Sequence, residues 1–187
     1  MVKKNACVFI SGTGTNLRSL INNSRSYNFP INIKLIVSNK KNAIGLEYAK
    51  KFAIPFKLIK VKDKFSELKI LNEINKRKIT LICLAGYMRI LSKTFVKNYK
   101  GKIINVHPSL LPKFKGINTF KRILKNKETF TGCTVHYVSE KLDSGKIIIK
   151  KKFAILKKED ENSLKKKTQK LEYRAFSEAI NKIYMMN

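Results

Sequence analysis

The chain has 187 residues, enough to bury one full hydrophobic core. Its 43% apolar content, 10% aromatic content and four prolines argue for a globular protein rather than a disordered one. Forty-one Lys and Arg against twelve Asp and Glu leave a formal charge of +29, which raises the question of a polyanionic partner.

The lysines recur along the whole chain, in "NKKN", "AKKF", "IKKKF" and "LKKKT", rather than in one stripe. Lys, Ile and Asn are abundant together, as an A/T-biased coding sequence would produce, and no aromatic-interleaved RNA-binding motif appears. No dedicated nucleic-acid partner is therefore expected, although the positive field would attract small anions. No apolar run reaches the roughly 18 residues of a membrane helix. "MVKKNACVFISG" runs straight into a glycine turn without a cleavage site, so the expectation is a cytoplasmic protein with no membrane partner. Cys7, Cys83 and Cys133 lack CxxC spacing. They read as small core residues, Cys133 the least deeply placed, and no metal site is expected.

In chain order, "ACVFISG" (6–12) predicts a buried strand and residues 16–24 a helix. "INIKLIVSN" (31–39) is a second strand and "IGLEYAKKF" (44–52) a second helix. "FKLIKV" (56–61) is a third strand, followed by a helix with apolar spacing at Phe65, Leu68, Leu71 and Ile74. "ITLICLAGY" (79–87) reads as a strand buried on both faces, "LSKTFVKNY" as a helix capped by Ser92, and "GKIINV" (101–106) as the next strand. "TGCTVHYV" (131–138) and "KIIIKKKFAIL" (146–156) form a hairpin-like pair. A final amphipathic helix carries Leu164, Leu171, Ala175, Ala179 and Ile183. The expected fold is one α/β domain over 1–187. It has a mostly parallel Rossmann-like open sheet flanked by helices, an antiparallel C-terminal strand pair and a long C-terminal helix.

"ISGTGTNL" (10–17) joins the first strand to the first helix. Gly12 and Gly14 permit close backbone approach, and the free N–H groups of a helix start favour an anion. The third glycine of a dinucleotide fingerprint is Leu17 here, no ribose-binding acid ends the second strand, and no GK[ST] follows. A single phosphate is the preferred reading; a plain tight turn is the other.

"INVHPSLLP" (104–112) holds one of only two histidines. Residues two apart on a strand project to one side, so Asn105 and His107 should face the same space, at the strand's carboxyl end where open α/β sheets bind ligands. An amide and a protonated imidazole make an oxyanion-stabilising pair. A histidine that merely satisfies loop backbone is the alternative. Asp143, in "KLDSG", is a candidate carboxylate for His107, or an ordinary turn residue. His136 reads as a strand side chain near the site, without a local partner.

"ISGTGTN", "LAGYMRIL", "INVHPSLLP" and "GCTVHYVSEKLDSGKII" occur in the order and spacing of the folate-dependent phosphoribosylglycinamide formyltransferases, and the chain resembles that family along essentially its whole length. The resemblance implies formyl transfer from 10-formyltetrahydrofolate, as co-substrate, to the amino group of glycinamide ribonucleotide in de novo purine (IMP) synthesis. It puts Asn105, His107 and Asp143 on the catalytic trio, with Gly14, Thr15 and Asn16 on the substrate phosphate. Met88, Arg89, Ile90 and Leu91 fall on folate contacts. So do Ser139, Glu140, Lys141 and Leu142, on the pterin side, together with Asn105 and Asp143. Glu172 would hold the ribose or amine end. Small-molecule partners and a monomer or weak homodimer follow.

Tyr173 and Ser177 replace a family His and Pro, Asn118 stands where many relatives have His, and Lys62 or Lys64 would substitute for an arginine at the folate tail. Methionyl-tRNA formyltransferases share the trio but carry a C-terminal tRNA-binding domain, for which no room is expected. Formyltetrahydrofolate hydrolases carry an extra N-terminal domain. A basic RNA-binding protein on the same scaffold would show salt-dependent RNA binding and no transfer.

Overall fold

A computed structural model describes residues 2–60 and 63–185. The strands follow the order β3-β2-β1-β4-β5-β6-β7, numbered along the chain. Residues pack as two compact units, one up to Ile104 and one from Asn105 onward.

In the first unit, β1 (Lys4–Ile10) runs parallel to β2 (Ile31–Ser38) and to β4 (Ile79–Leu84). Ala6 to Ile10 are fully buried, as expected for a near-continuous apolar strand covered on both faces. Helix α1 (Thr15–Ser24) buries Leu17, Leu20 and Ile21. Helix α2 (Leu46–Lys51) is shorter than the predicted 44–52. Strand β3 (Phe56–Leu58) pairs parallel with β2 at the sheet edge and is exposed along its length, so only the start of the predicted 56–61 forms a strand; Val61 and Lys62 lie outside the described residues.

Helix α3 (Lys64–Lys76) begins at Asp63, whose side chain accepts from the Phe65 and Ser66 amides. The predicted apolar face is rotated. Phe65 is 78% exposed and Leu68 is also exposed, while Glu67, Ile70, Leu71 and Ile74 are buried. The 3.6-residue period holds, but a carboxylate takes the inward position near the start. Its partner explains this: Ser92 Oγ donates to Glu67 Oε2 while accepting the Phe95 amide as the cap of α4 (Lys93–Asn98).

Strand β5 (Lys102–His107) runs from the first unit into the second. Helix α5 (Thr119–Lys125), absent from the sequence reading, is a two-turn helix entered through Asn118 at φ 55. Asn tolerates that left-handed conformation better than most residues. Strands β6 (Phe130–Tyr137) and β7 (Ile147–Ala154) pair antiparallel, as expected. Helix α6 (Glu161–Met185) packs on both and buries Leu164, Thr168, Glu172, Ala175, Phe176, Ala179, Ile180 and Ile183. Leu171, predicted on that face, is only half-buried because Glu172 takes the inward place. All three cysteines are buried, Cys133 as fully as the others.

Candidate active site

Strand β5 ends by presenting Asn105 and His107 from alternate positions. His107 is only 5% exposed. Its Nδ1 lies 3.3 Å from Asp143 Oδ2, and its Nε2 lies 2.9 Å from the Phe114 carbonyl oxygen. Both ring nitrogens thus meet oxygen acceptors, a set satisfied in full only when each carries a proton.

Asp143 comes from the turn between β6 and β7, with φ 46 and a side chain 7% exposed. The Gly116 amide donates to the same Oδ2 at 2.9 Å. That turn is fixed at its base. The Tyr137 amide donates to the Lys146 carbonyl at 2.9 Å, and a Cβ at Gly145 would fall 1.7 Å from the Tyr137 oxygen. Gly145 is therefore required by close backbone approach.

Three side chains hold the segment after His107 in place. Thr134 Oγ1 donates to the Ser109 carbonyl at 2.7 Å and accepts the Leu111 amide at 3.0 Å. Ser109 Oγ donates to the Lys113 carbonyl at 2.6 Å. Arg122, on α5, donates to the Lys115 carbonyl and lies over the Phe114 ring. Thr134, Phe114 and Gly116 escaped the sequence reading. The "CTVHY" alternation, with Thr134 and His136 two apart, was the one available signal for Thr134.

His136 has a partner after all, supplied by a different strand. Its Nε2 is 3.2 Å from Asn105 Nδ2 and 3.7 Å from Asp143 Oδ1, and its Nδ1 is 2.8 Å from the Tyr137 carbonyl oxygen. Burial holds its pKa below the ordinary histidine value, outweighing the Tyr137 carbonyl and the Asp143 charge. The ring is therefore neutral at neutral pH.

In the first unit, Gly14 caps α1 at φ 71, and a Cβ there would meet Gly45 Cα at 2.6 Å. The Gly45 amide donates to the Gly12 carbonyl at 2.9 Å. Thr15 and Asn16 follow in the first turn of α1. No acidic residue stands in that turn. Ser11, a buried residue of the same loop, donates to Asn39 Oδ1 at 2.5 Å and accepts the Met88 amide at 2.8 Å.

A model of the formyl transferase family matches residues 4–180. The chain belongs to the formyl transferase family. It is 37% identical over 177 residues to the phosphoribosylglycinamide formyltransferase of Haemophilus influenzae, covering 92% of this chain and 84% of that one. It is 39% identical over 184 residues to the trifunctional purine biosynthetic protein adenosine-3 of Drosophila melanogaster, covering 95% of this chain and spanning only 14% of that relative's length. The phosphoribosylglycinamide formyltransferase structure from Brucella melitensis superposes with a TM-score of 0.90 at 37% identity, covering 97% of this chain and 95% of that one. The phosphoribosylglycinamide formyltransferase structure from Bacillus halodurans gives 0.91 at 30% identity, with 97% and 96% covered.

The other predicted residues are placed unevenly. Met88 and Ile90 are 76% and 68% exposed, and Arg89 is exposed beside them, so three side chains of "MRIL" are open to a ligand. The Leu91 side chain is instead buried in the core, which leaves its backbone for the expected contact. Ser139, Glu140, Lys141 and Leu142 form the exposed turn leading to Asp143. Ser139 Oγ donates to the Lys141 carbonyl, and Ser144 Oγ to that of Leu142. Glu172 is buried on α6. Burial first, then the Glu172 charge, push the Cys133 thiol up to about 12. Among the described residues no group of three or more His, Cys, Asp or Glu has a metal-holding arrangement, and no helix is long and apolar enough to cross a membrane.

Proposed function

We propose that the chain transfers the formyl group of 10-formyltetrahydrofolate to the amino group of glycinamide ribonucleotide, in de novo purine biosynthesis. The observation that carries this reading is His107 held between Asp143 and the Phe114 carbonyl, two residues after Asn105. The names of the Haemophilus influenzae relative and of the superposed structures, all phosphoribosylglycinamide formyltransferases, support it.

Attack of the amine on the formyl carbon drives negative charge onto the formyl oxygen. Asn105 Nδ2–H donates to that oxygen as it becomes anionic, and the His107 imidazolium does so once its Nε2–H turns from the Phe114 carbonyl to the reacting oxygen. The C–N bond to the folate then breaks, and the proton lost by the amine is returned to the departing nitrogen. His107 is the group placed to pass it, with Asp143 holding the ring in the orientation the step needs. Gly14, Thr15 and Asn16 seat the substrate phosphate on the start of α1. Met88, Arg89, Ile90 and the 139–142 turn take the folate. Glu172, buried as it is, holds the ribose or amine end through whatever edge of its carboxylate the substrate reaches. The same reading places the chain in the cytoplasm, as a monomer or weak homodimer acting on small molecules.

The test is to mix the purified chain with both substrates and follow deformylated folate and formylated nucleotide. Stoichiometric appearance of both is expected. No product at high enzyme concentration, or formylation of methionyl-tRNA in place of the nucleotide, sinks the reading.

A further inference from the structure

The geometry assigns His136 a positioning role: its ring decides which end of the Asn105 amide is held inward and which donor is left for the reacting oxygen. This inference rests on the formyl-transfer reading above.

A backbone carbonyl only accepts, so the 2.8 Å contact with Tyr137 puts the ring proton on His136 Nδ1. Nε2 then keeps its lone pair and is an acceptor. Asn105 Nδ2, at 3.2 Å, donates into it. The reversed amide would set Oδ1 lone pairs against the Nε2 lone pair of a buried ring, two acceptors face to face. His136 therefore pins Nδ2, and the second N–H of the same nitrogen remains for the oxyanion. Asn105 is half-buried, so that N–H is reachable, whereas His136 at 2% exposure is not. The histidine acts through the amide without touching substrate.

The surroundings set the conditions for this device. Asp143 and the Tyr137 carbonyl favour a charged His136; burial, His107 and Lys115 disfavour it, and burial is the largest. Were the ring protonated, Nε2–H would turn to Asp143 Oδ1, now 3.7 Å away, and the amide would be released. Protonation thus costs the reaction an oriented donor while competing with His107 for its carboxylate.

In the 187-residue chain, His136→Leu is expected to lower kcat about 10-fold to 100-fold, less than the loss of a whole oxyanion donor, with both KM values changed by less than about 3-fold. His136→Gln, whose Oε1 can accept from Asn105, recovers much of that loss. In an Asn105→Ala background, His136→Leu adds less than about 2-fold, because the partner it orients is gone. Nitrogen NMR of the wild-type chain at neutral pH shows His136 neutral with its proton on Nδ1. Full kcat in a folded His136→Leu chain overturns the inference, as does an undiminished cost in the Asn105→Ala background. A ring protonated on Nε2 at neutral pH also overturns it. If wild-type chain transfers no formyl group, the functional reading falls on its own, and the ring tautomer alone decides whether His136 orients Asn105.

Discussion

At the scale of single residues, the site depends on acceptors that meet His107 and donors that face outward from β5. Asn105→Ala or His107→Ala, assayed for formyl transfer, is expected to reduce kcat by roughly 10²–10³ with the fold retained. Near-normal turnover would remove those residues from the mechanism. His136 gives a stability signature of definite sign. Burial lowers its pKa below the usual 6.5, so the unfolded chain binds this proton more readily than the folded one. The stability contributed by a neutral His136 is complete above about 6.5 and is lost as pH falls through the lower folded value. Thermal unfolding should show the wild-type midpoint dropping more steeply than that of His136→Gln between neutral pH and about 5. Parallel curves would mean that the ring is not held neutral.

At the scale of elements, the same logic of buried polar partners governs α3 and α4. Ser92 caps α4 and donates to the buried Glu67. Ser92→Ala removes the cap, costing about 1 kcal/mol, and strands a carboxylate, adding about 1–3 kcal/mol more. Urea unfolding checks the sum; a loss near the cap value alone would mean that Glu67 finds water. Glu67 also shows where the sequence was hard to read. The spacing of α3 was legible, but its phase was not, because Phe65 and Leu68 advertise a face that the fold leaves exposed. The buried position of Glu67 depends on a hydroxyl 25 residues away. Glu172 displaced Leu171 on α6 in the same manner. The apolar strands β1, β2, β4 and β5 left no such ambiguity, and they emerged within a few residues of their expected bounds. The short helix α5 was missed because its entry is an Asn in the left-handed region rather than a familiar cap.

At the scale of the molecule, charge and chemistry meet. A chain of +29 should draw its proposed anionic substrates by long-range attraction. The prediction is a kcat/KM that falls between about 10 mM and 150 mM salt, as the Debye length shrinks from about 30 to about 8 Å, with kcat little changed. A flat profile would show that the lysines act individually and not as a field. Of the candidate site, the parts carried by one strand or one turn were legible: Asn105 and His107 on β5, Asp143 beside its glycine, and the loop that opens α1. The parts made by chain segments meeting in space were not. The Phe114 carbonyl on His107, the Gly116 amide on Asp143 and the His136 ring against Asn105 carry no pattern that spacing reveals. The most direct test of the central claim follows a labelled formyl carbon from 10-formyltetrahydrofolate in the presence of glycinamide ribonucleotide, for the wild-type chain and for His107→Ala. The account predicts label on the nucleotide's amino group with the wild type and a rate lower by roughly 10²–10³ with the variant. Label that stays on the folate, or passes to the nucleotide equally fast without the His107 side chain, would contradict it.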